Sequence, residues 1–166
     1  MTFTGLTAVQ GQGGSDSLNA LAYSDGLELT GSDNQLLAGA LTFEGIFSST
    51  TALLTGSSGD DLFTITGTNT LNTANIDFSG LNNVNAGLGS DSLVALDLVS
   101  LTGNSKEAVT RGIRFSEIDS VTGGSLAGSD NADRFEITGL NALMANDIAF
   151  NGISSVDAAG GIDTVN

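Results

Sequence analysis

Apolar and polar residues alternate along this chain in short runs, and most runs stop at a glycine. Leu27-Glu28-Leu29, Phe63-Thr64-Ile65, Ile76-Asp77-Phe78, Phe135-Glu136-Ile137 and Ile148-Ala149-Phe150 all have period two. That is the period of a strand with one buried face. Leu18 to Leu21, Leu41 to Phe43, Leu81 to Val84 and Ile153 to Val156 add further candidate strands. Gln35 to Ala40 is a variable stretch, and residues 47–55 are rich in Ser and Thr. Asn104 to Gly112 carries helix signals, with Asn or Ser as N-cap and Gly past the end. Asn141 to Asn146 is similar. One or two helical turns, or an irregular loop, are expected at both places.

The runs recur. Thr-Gly pairs stand at Thr30-Gly31, Thr66-Gly67, Thr102-Gly103 and Thr138-Gly139, 36 residues apart each time. Phe43, Phe78, Phe115 and Phe150 each open a Phe-x-x-Ile/Leu pattern, at steps of 35, 37 and 35. Phe3-Thr4-Gly5-Leu6 opens the chain as an extra copy. A double period of about 72 also shows. Leu29-Thr30-Gly31 with Phe43 returns as Leu101-Thr102-Gly103 with Phe115. Gly14-Ser15-Asp16-Ser17-Leu18 returns as Gly89-Ser90-Asp91-Ser92-Leu93 at an offset of 75. Alternate copies are therefore more alike than neighbouring ones.

Strands this short cannot hold a flat sheet alone. Stacked copy on copy, each pairs with its equivalent about 4.8 Å away and its backbone groups are satisfied. The expected fold is all-β: a parallel β-helix or β-solenoid of about four coils of roughly 36 residues, with a short helical or loop insert per coil. Right-handed is the expected hand. Residues 1–166 form one repeat domain, and the reading extends to a fragment of a longer array with a start Met added. One internal stack is expected from Phe43, Phe78, Phe115 and Phe150. A second is expected from Leu18, Phe63, Leu93, Phe135 and Val165.

Composition narrows the chemistry. The net charge is −15, with 4 basic residues against 19 acidic ones. Long-range electrostatics therefore disfavours nucleic acid and anionic membrane surfaces. No apolar stretch is long enough to span a bilayer as a helix, so no membrane insertion is expected. There is no Cys and no His, which removes disulfides, thiolate metal sites and the commonest general base. The first residues lack the basic and apolar regions of a signal peptide.

Five turns fit a degenerate nonapeptide, Gly-Gly-x-Gly-x-Asp-x-apolar-x. They end on Asp16, Asp61, Asp91, Asp133 and Asp163. These turns resemble the repeats-in-toxin (RTX) calcium-binding nonapeptide. The wider pattern, Asp-x-Phe-x-Ile-Thr-Gly followed by Phe-x-Gly-Ile-x-x-Val, resembles repeats of large secreted bacterial adhesin-type surface proteins. The resemblance implies calcium between stacked turns. Its ligands would be those five aspartates with carbonyls around Gly11, Gly13, Gly56, Gly87, Gly89, Gly128 and Gly160. The departures are the aspartate spacings, 45, 30, 42 and 30 rather than nine, and the replacement of turn glycines by Ser57, Ser129, Ala86, Ala158 and Ala159. The residues alone leave a second reading open, in which each Asp bonds the backbone of its own turn.

Four functions follow as expectations. The first is a non-enzymatic structural or adhesive module of a secreted, cell-surface or biofilm-matrix protein. Its partners are neighbouring repeats, a host or matrix surface or carbohydrate, and it stacks end to end. The second is a calcium-responsive RTX-like module; no other cofactor is required. The third is a polysaccharide-active β-helix enzyme, for which Asp60-Asp61 and Asp130 with Asp133 are the acidic pairs. The fourth is an ice-binding solenoid, for which Thr-x-Thr occurs but not in every copy.

Overall fold

The computed structural model describes residues 6–166. The extra copy at Phe3-Thr4-Gly5 lies outside the described residues. None of the described residues is helical. Strands β1 (Ala8–Gln10) and β2 (Asp16–Asn19) come first. β3 (Leu27–Leu29), β4 (Gln35–Ala38) and β5 (Leu41–Glu44) then double back on one another as an antiparallel meander. β6 (Ile46–Thr50) and β7 (Leu53–Thr55) are single strands. A second meander follows in β8 (Leu62–Gly67), β9 (Thr70–Thr73) and β10 (Ile76–Ser79). After the single strands β11 (Asn83–Asn85) and β12 (Ser92–Val94) comes a third, β13 (Leu98–Leu101), β14 (Glu107–Thr110) and β15 (Ile113–Ser116). β16 (Ser120–Thr122) and β17 (Ser125–Ala127) precede the fourth, β18 (Arg134–Gly139), β19 (Ala142–Ala145) and β20 (Ile148–Asn151). β21 (Ser155–Asp157) and β22 (Thr164–Val165) close the chain.

These strands form two sheets of 11 strands. Sheet I runs β1-β5-β4-β3-β7-β11-β15-β14-β13-β17-β21, and sheet II runs β2-β6-β10-β9-β8-β12-β16-β20-β19-β18-β22. Every pairing outside the meanders is parallel. The fold is thus the expected β-solenoid of parallel stacked coils. Counted as rungs from the N-terminal end, rung 1 is β1 with β2 and rung 11 is β21 with β22.

The expected insert is the part that differs. Residues 104–112 and 141–146 are not helical. β14 and β19 are the return strands of meanders, with β4 and β9 as their counterparts. They end in two-residue turns, Ala74-Asn75, Arg111-Gly112 and Asn146-Asp147, with both residues at positive φ. That is the backbone of a tight hairpin. The apparent caps are residues that tolerate left-handed backbone, and a helix end and a hairpin turn call on them equally.

The meanders alternate between sheets: the first and third lie in sheet I, the second and fourth in sheet II. The 36-residue period is therefore half a structural unit, and 72 residues build five rungs. This explains why alternate copies are more alike. It also divides the expected phenylalanine stack. Phe43 and Phe115 face inward from sheet I, Phe78 and Phe150 from sheet II. Likewise Gly31 and Gly103 follow strands of sheet I, whereas Gly67 and Gly139 end strands of sheet II. Leu18, Phe63, Leu93, Phe135 and Val165 all lie in sheet II but do not form the expected single internal stack: only Phe63 with Leu93 and Phe135 with Val165 are direct neighbours, and Val165 is 69% exposed.

Each sheet lays a ladder of apolar side chains inward. In sheet I the register runs Leu36 to Leu29, Leu27 to Leu54, Leu54 to Val84, Val84 to Phe115 and Phe115 to Ala108. In sheet II it runs Phe78 to Leu71, Leu71 to Ile65, Phe63 to Leu93, Leu93 to Val121 and Val121 to Phe150. The sheets meet in one core, where the Phe63 and Phe115 rings pack edge to face with centroids 6.0 Å apart. Burying each Leu, Val or Phe of these ladders contributes about 1.5–3 kcal/mol.

Candidate functional site

The five glycine-aspartate turns all lie on one edge, where the chain crosses from sheet I to sheet II. Only the pairs spaced by 30 residues are neighbours. Asp61 and Asp91 precede β8 and β12 in rungs 5 and 6; Asp133 and Asp163 precede β18 and β22 in rungs 10 and 11. Asp16 starts β2 in rung 1, and the rung above it crosses by the short Glu44-Gly45-Ile46 link without an aspartate.

Four of the five carboxylates, those of Asp61, Asp91, Asp133 and Asp163, accept from backbone donors. Asp61 Oδ2 accepts from the Ser57 N–H at 2.6 Å, closing its own turn. Asp91 Oδ1 accepts from the Asp61 N–H of the rung below at 2.8 Å. The second pair repeats this arrangement. Asp133 Oδ2 accepts from the Ser129 N–H at 2.6 Å, and Asp163 Oδ1 accepts from the Asp133 N–H at 2.9 Å. The serines that replace turn glycines take part, since Ser129 Oγ also donates to Asp133 and Ser57 Oγ accepts from the Gly59 N–H. The glycines that remain are needed for rung-to-rung approach. A Cβ on Gly56 would lie 1.8 Å from the Ala86 carbonyl oxygen of the next turn, and one on Gly128 would lie 2.3 Å from that of Ala158.

The first ladder has a third step that sequence reasoning missed. Asp119, in the short crossing of rung 7, accepts from the Asp91 N–H through Oδ2 at 3.0 Å. Its Oδ1 is bonded by the Lys106 ammonium, which reaches over from the tip of the third meander. The available signal was the repeat of Asp91-Ser92-Leu93 as Asp119-Ser120-Val121, but Asp119 lacks the glycines that mark the other turns. The Ser92 and Ser120 hydroxyls continue the match at 2.9 Å.

Asp91 is the unusual member. It is 0% exposed, and its Oδ2 has no hydrogen-bond partner. Burial pushes its pKa above 3.8, the Asp61 N–H bond opposes this, and the charges of Asp61, Asp119 and Asp60 add to the rise. The Lys106 hydrogen bond holds Asp119 below the same value and raises Lys106 in turn. Among the described residues no three acidic side chains converge as a metal-binding group. One oxygen of each of Asp61, Asp91, Asp133 and Asp163 is bonded to a backbone N–H, so these carboxylates cap their own turn or link it to the rung below. The open polar groove nearby, about 440 Å³, is lined by Asp33, Asp60, Asp61, Thr30, Ser57 and Ser58 among others, with no basic residue.

Comparison with known protein families, with curated proteins and with solved structures finds no match for this chain.

Proposed function

We propose that the chain is a non-enzymatic structural module: a stiff repeat segment of a secreted bacterial surface, adhesive or biofilm-matrix protein. The carrying observation is the double ladder of inward apolar residues along the 11 rungs, broken in sheet II only by Ser49 between Leu18 and Phe78, and built from units that repeat every 72 residues. Such a core stacks unit on unit without a natural stop, so length is its adjustable property. The −15 charge keeps a long rod soluble and apart from other anionic polymers. Neighbouring repeats are its first partners, and a matrix or host surface or carbohydrate is the outer one. The test is electron microscopy of tandem arrays together with incubation against polysaccharides. The expected result is a straight rod lengthening by about 24 Å per 72 residues, from five rungs about 4.8 Å apart, with no sugar released. Flexible arrays or measurable turnover would overturn the reading.

One observation favours a second reading, a calcium-responsive module. A buried carboxylate oxygen with no donor, Asp91 Oδ2, has the chemistry of a site completed by a cation. Melting with calcium and with EDTA decides it. On this reading calcium raises the melting temperature of the parent chain and not that of Asp91→Asn. Identical melts remove calcium.

A further inference from the structure

The two ends of the chain carry the same rung. Residues 8–19, Ala-Val-Gln-Gly-Gln-Gly-Gly-Ser-Asp-Ser-Leu-Asn, align without a gap on residues 155–166, Ser-Val-Asp-Ala-Ala-Gly-Gly-Ile-Asp-Thr-Val-Asn. β1 and β2 make rung 1 from the first segment, and β21 and β22 make rung 11 from the second. Val9 corresponds to Val156, Asp16 to Asp163 and Leu18 to Val165. The geometry points to a head-to-tail assembly in which rung 11 of one copy takes the place of rung 1 in a second copy of this chain. This names the partner of the solenoid end. It rests on the stacking half of the function proposed above, not on its extracellular half.

A series of clamps inside the molecule shows what rung 11 lacks. In the first turn of each meander one non-glycine residue stands at positive φ: Asn34, Asn69, Lys106 and Asn141. The carbonyl of each accepts a backbone N–H, from Ile46, Leu81, Ile118 and Ile153 in turn. The first three also donate their own N–H to the hairpin tip of the next meander, at Ala74, Arg111 and Asn146. Asn34 and Asn69 add side-chain bonds to the following carbonyls, Asn75 at 3.0 Å and Gly112 at 3.2 Å. Asn141 has no such acceptor among the described residues. Beside it is an open cavity of about 190 Å³ lined by Ile137, Leu143, Ile153 and Val156 among others.

The complementary half sits at the other end. The tip of the first meander, Gly39-Ala40, is the counterpart of Arg111-Gly112 at an offset of 72. No donor among the described residues reaches the Gly39 or Ala40 carbonyl. Placing rung 11 of one copy where rung 1 stood in the next brings Asn141 to these carbonyls, as Asn69 meets Arg111 and Gly112. It also closes the apolar end of the core, where Phe135, Ile137, Leu143, Val156, Ala158 and Val165 line a cavity of about 230 Å³. Simple stacking of rung 11 on an intact rung 1 puts two equivalent rungs in contact and leaves Asn141 one rung short of its acceptors. The displaced strands give up little, since all of β1 is exposed and β2 alternates between half-buried and exposed. The contact is heterologous, so it propagates as a filament rather than closing as a dimer.

Because the chain has no Cys, paired cysteines test the register directly. Exchange sets Thr164 of one copy beside Ser48 of the next, as Ser92 lies beside Ser120. Simple stacking sets Thr164 beside Ser17 instead. All three positions face outward from sheet II, and Thr164 and Ser48 lie nine rungs apart within one copy. Mild oxidation of concentrated Thr164→Cys/Ser48→Cys protein, checked for a native melt, is expected to give a ladder of disulfide-linked oligomers, with Thr164→Cys/Ser17→Cys giving few. Monomers from both pairs, or a ladder from the second pair only, overturns the inference. Asn141→Gly adds an independent reading by sedimentation. Loss of its side-chain bond is expected to raise the concentration for half-association about tenfold with the monomer melt unchanged. Unchanged association would also overturn it. Neither readout involves matrix, carbohydrate or rod length, so failure here is distinct from failure of the proposed function.

Discussion

Residues 63–93 and residues 135–165 are the same stretch of repeat in two settings. Phe63 and Phe135 are both buried. Beyond that point the two diverge. Ile65 packs against the core, whereas its counterpart Ile137 is 62% exposed. Val84 and Leu93 are buried, whereas Val156 and Val165 are 44% and 69% exposed. Asn69 is clamped on both sides and Asn141 on one. Asp91 is sealed in by Asp119 above it, and nothing described lies above Asp163. The compared positions carry apolar side chains of similar size in both stretches, so the difference in burial follows the neighbouring rung: β16 lies on β12, whereas β22 has a described neighbour on one side. In this fold a residue's burial is supplied by the neighbouring copy of the pattern, not by its own segment.

That comparison sets the expected order of mutational effects. Leu93→Ala is expected to cost about 3 kcal/mol through lost burial and a cavity. Val165→Ala should cost under about 0.5 kcal/mol in the monomer, because its side chain already meets water. Urea unfolding of both checks this, and equal losses would mean that the end rung is packed like the interior. Next comes the clamp. Asn69→Gly keeps the left-handed backbone but removes the side-chain bonds to the Leu81 and Gly112 carbonyls, a loss of about 2 kcal/mol. Asn141→Gly should leave the dilute protein unchanged.

The smallest effects are electrostatic. Lys106→Ala leaves Asp119 facing buried Asp91 without its counter-charge. The expected loss is about 1 kcal/mol, reduced by the partial exposure of the pair and by salt. Asp91→Asn tests the sign of the buried charge. A carboxyl whose folded pKa lies above 3.8 holds its proton longer folded than unfolded. Stability therefore falls as pH rises from about 3.8 through the folded value, and stays lowered above it. In calcium-free buffer Asp91→Asn is expected to remove that fall and to gain stability at pH 7 by melting temperature. A loss at neutral pH would mean that the ionised form is the better bonded one.

The stacking was legible in the sequence because period-two runs and 36-residue steps record the two things a rung needs: one buried face and a copy to pair with. The alternation between sheets was hidden because both sheets are built from the same pattern, so Phe43 and Phe78 look alike though they face inward from opposite sides. Only the 72-residue similarity carried the distinction. The return strands were obscured by the shared chemistry of caps and tight turns, as at Arg111-Gly112. On the aspartate edge the five turns were recognisable. Which of them touch was not, since it depends on how far each meander carries the chain along the stack. Asp119 escaped because its crossing carries none of the glycines that mark the five turns; the residue at positive φ there is Glu117.

The order of strands has a mechanical consequence. A solenoid wound once per rung can be unpeeled from its end, one strand after another, at low force. Here the chain runs ahead and doubles back, so sequence neighbours are not always spatial neighbours at the edge. Pulling on Asn166 frees β22 and then β21, but the next strand along, β20, lies at rung 8, held beneath β19 and beside β16. It cannot leave without shearing its neighbours out of both sides at once. Each meander acts as a pawl against unravelling, and tension along the axis meets a series of locks rather than a zip.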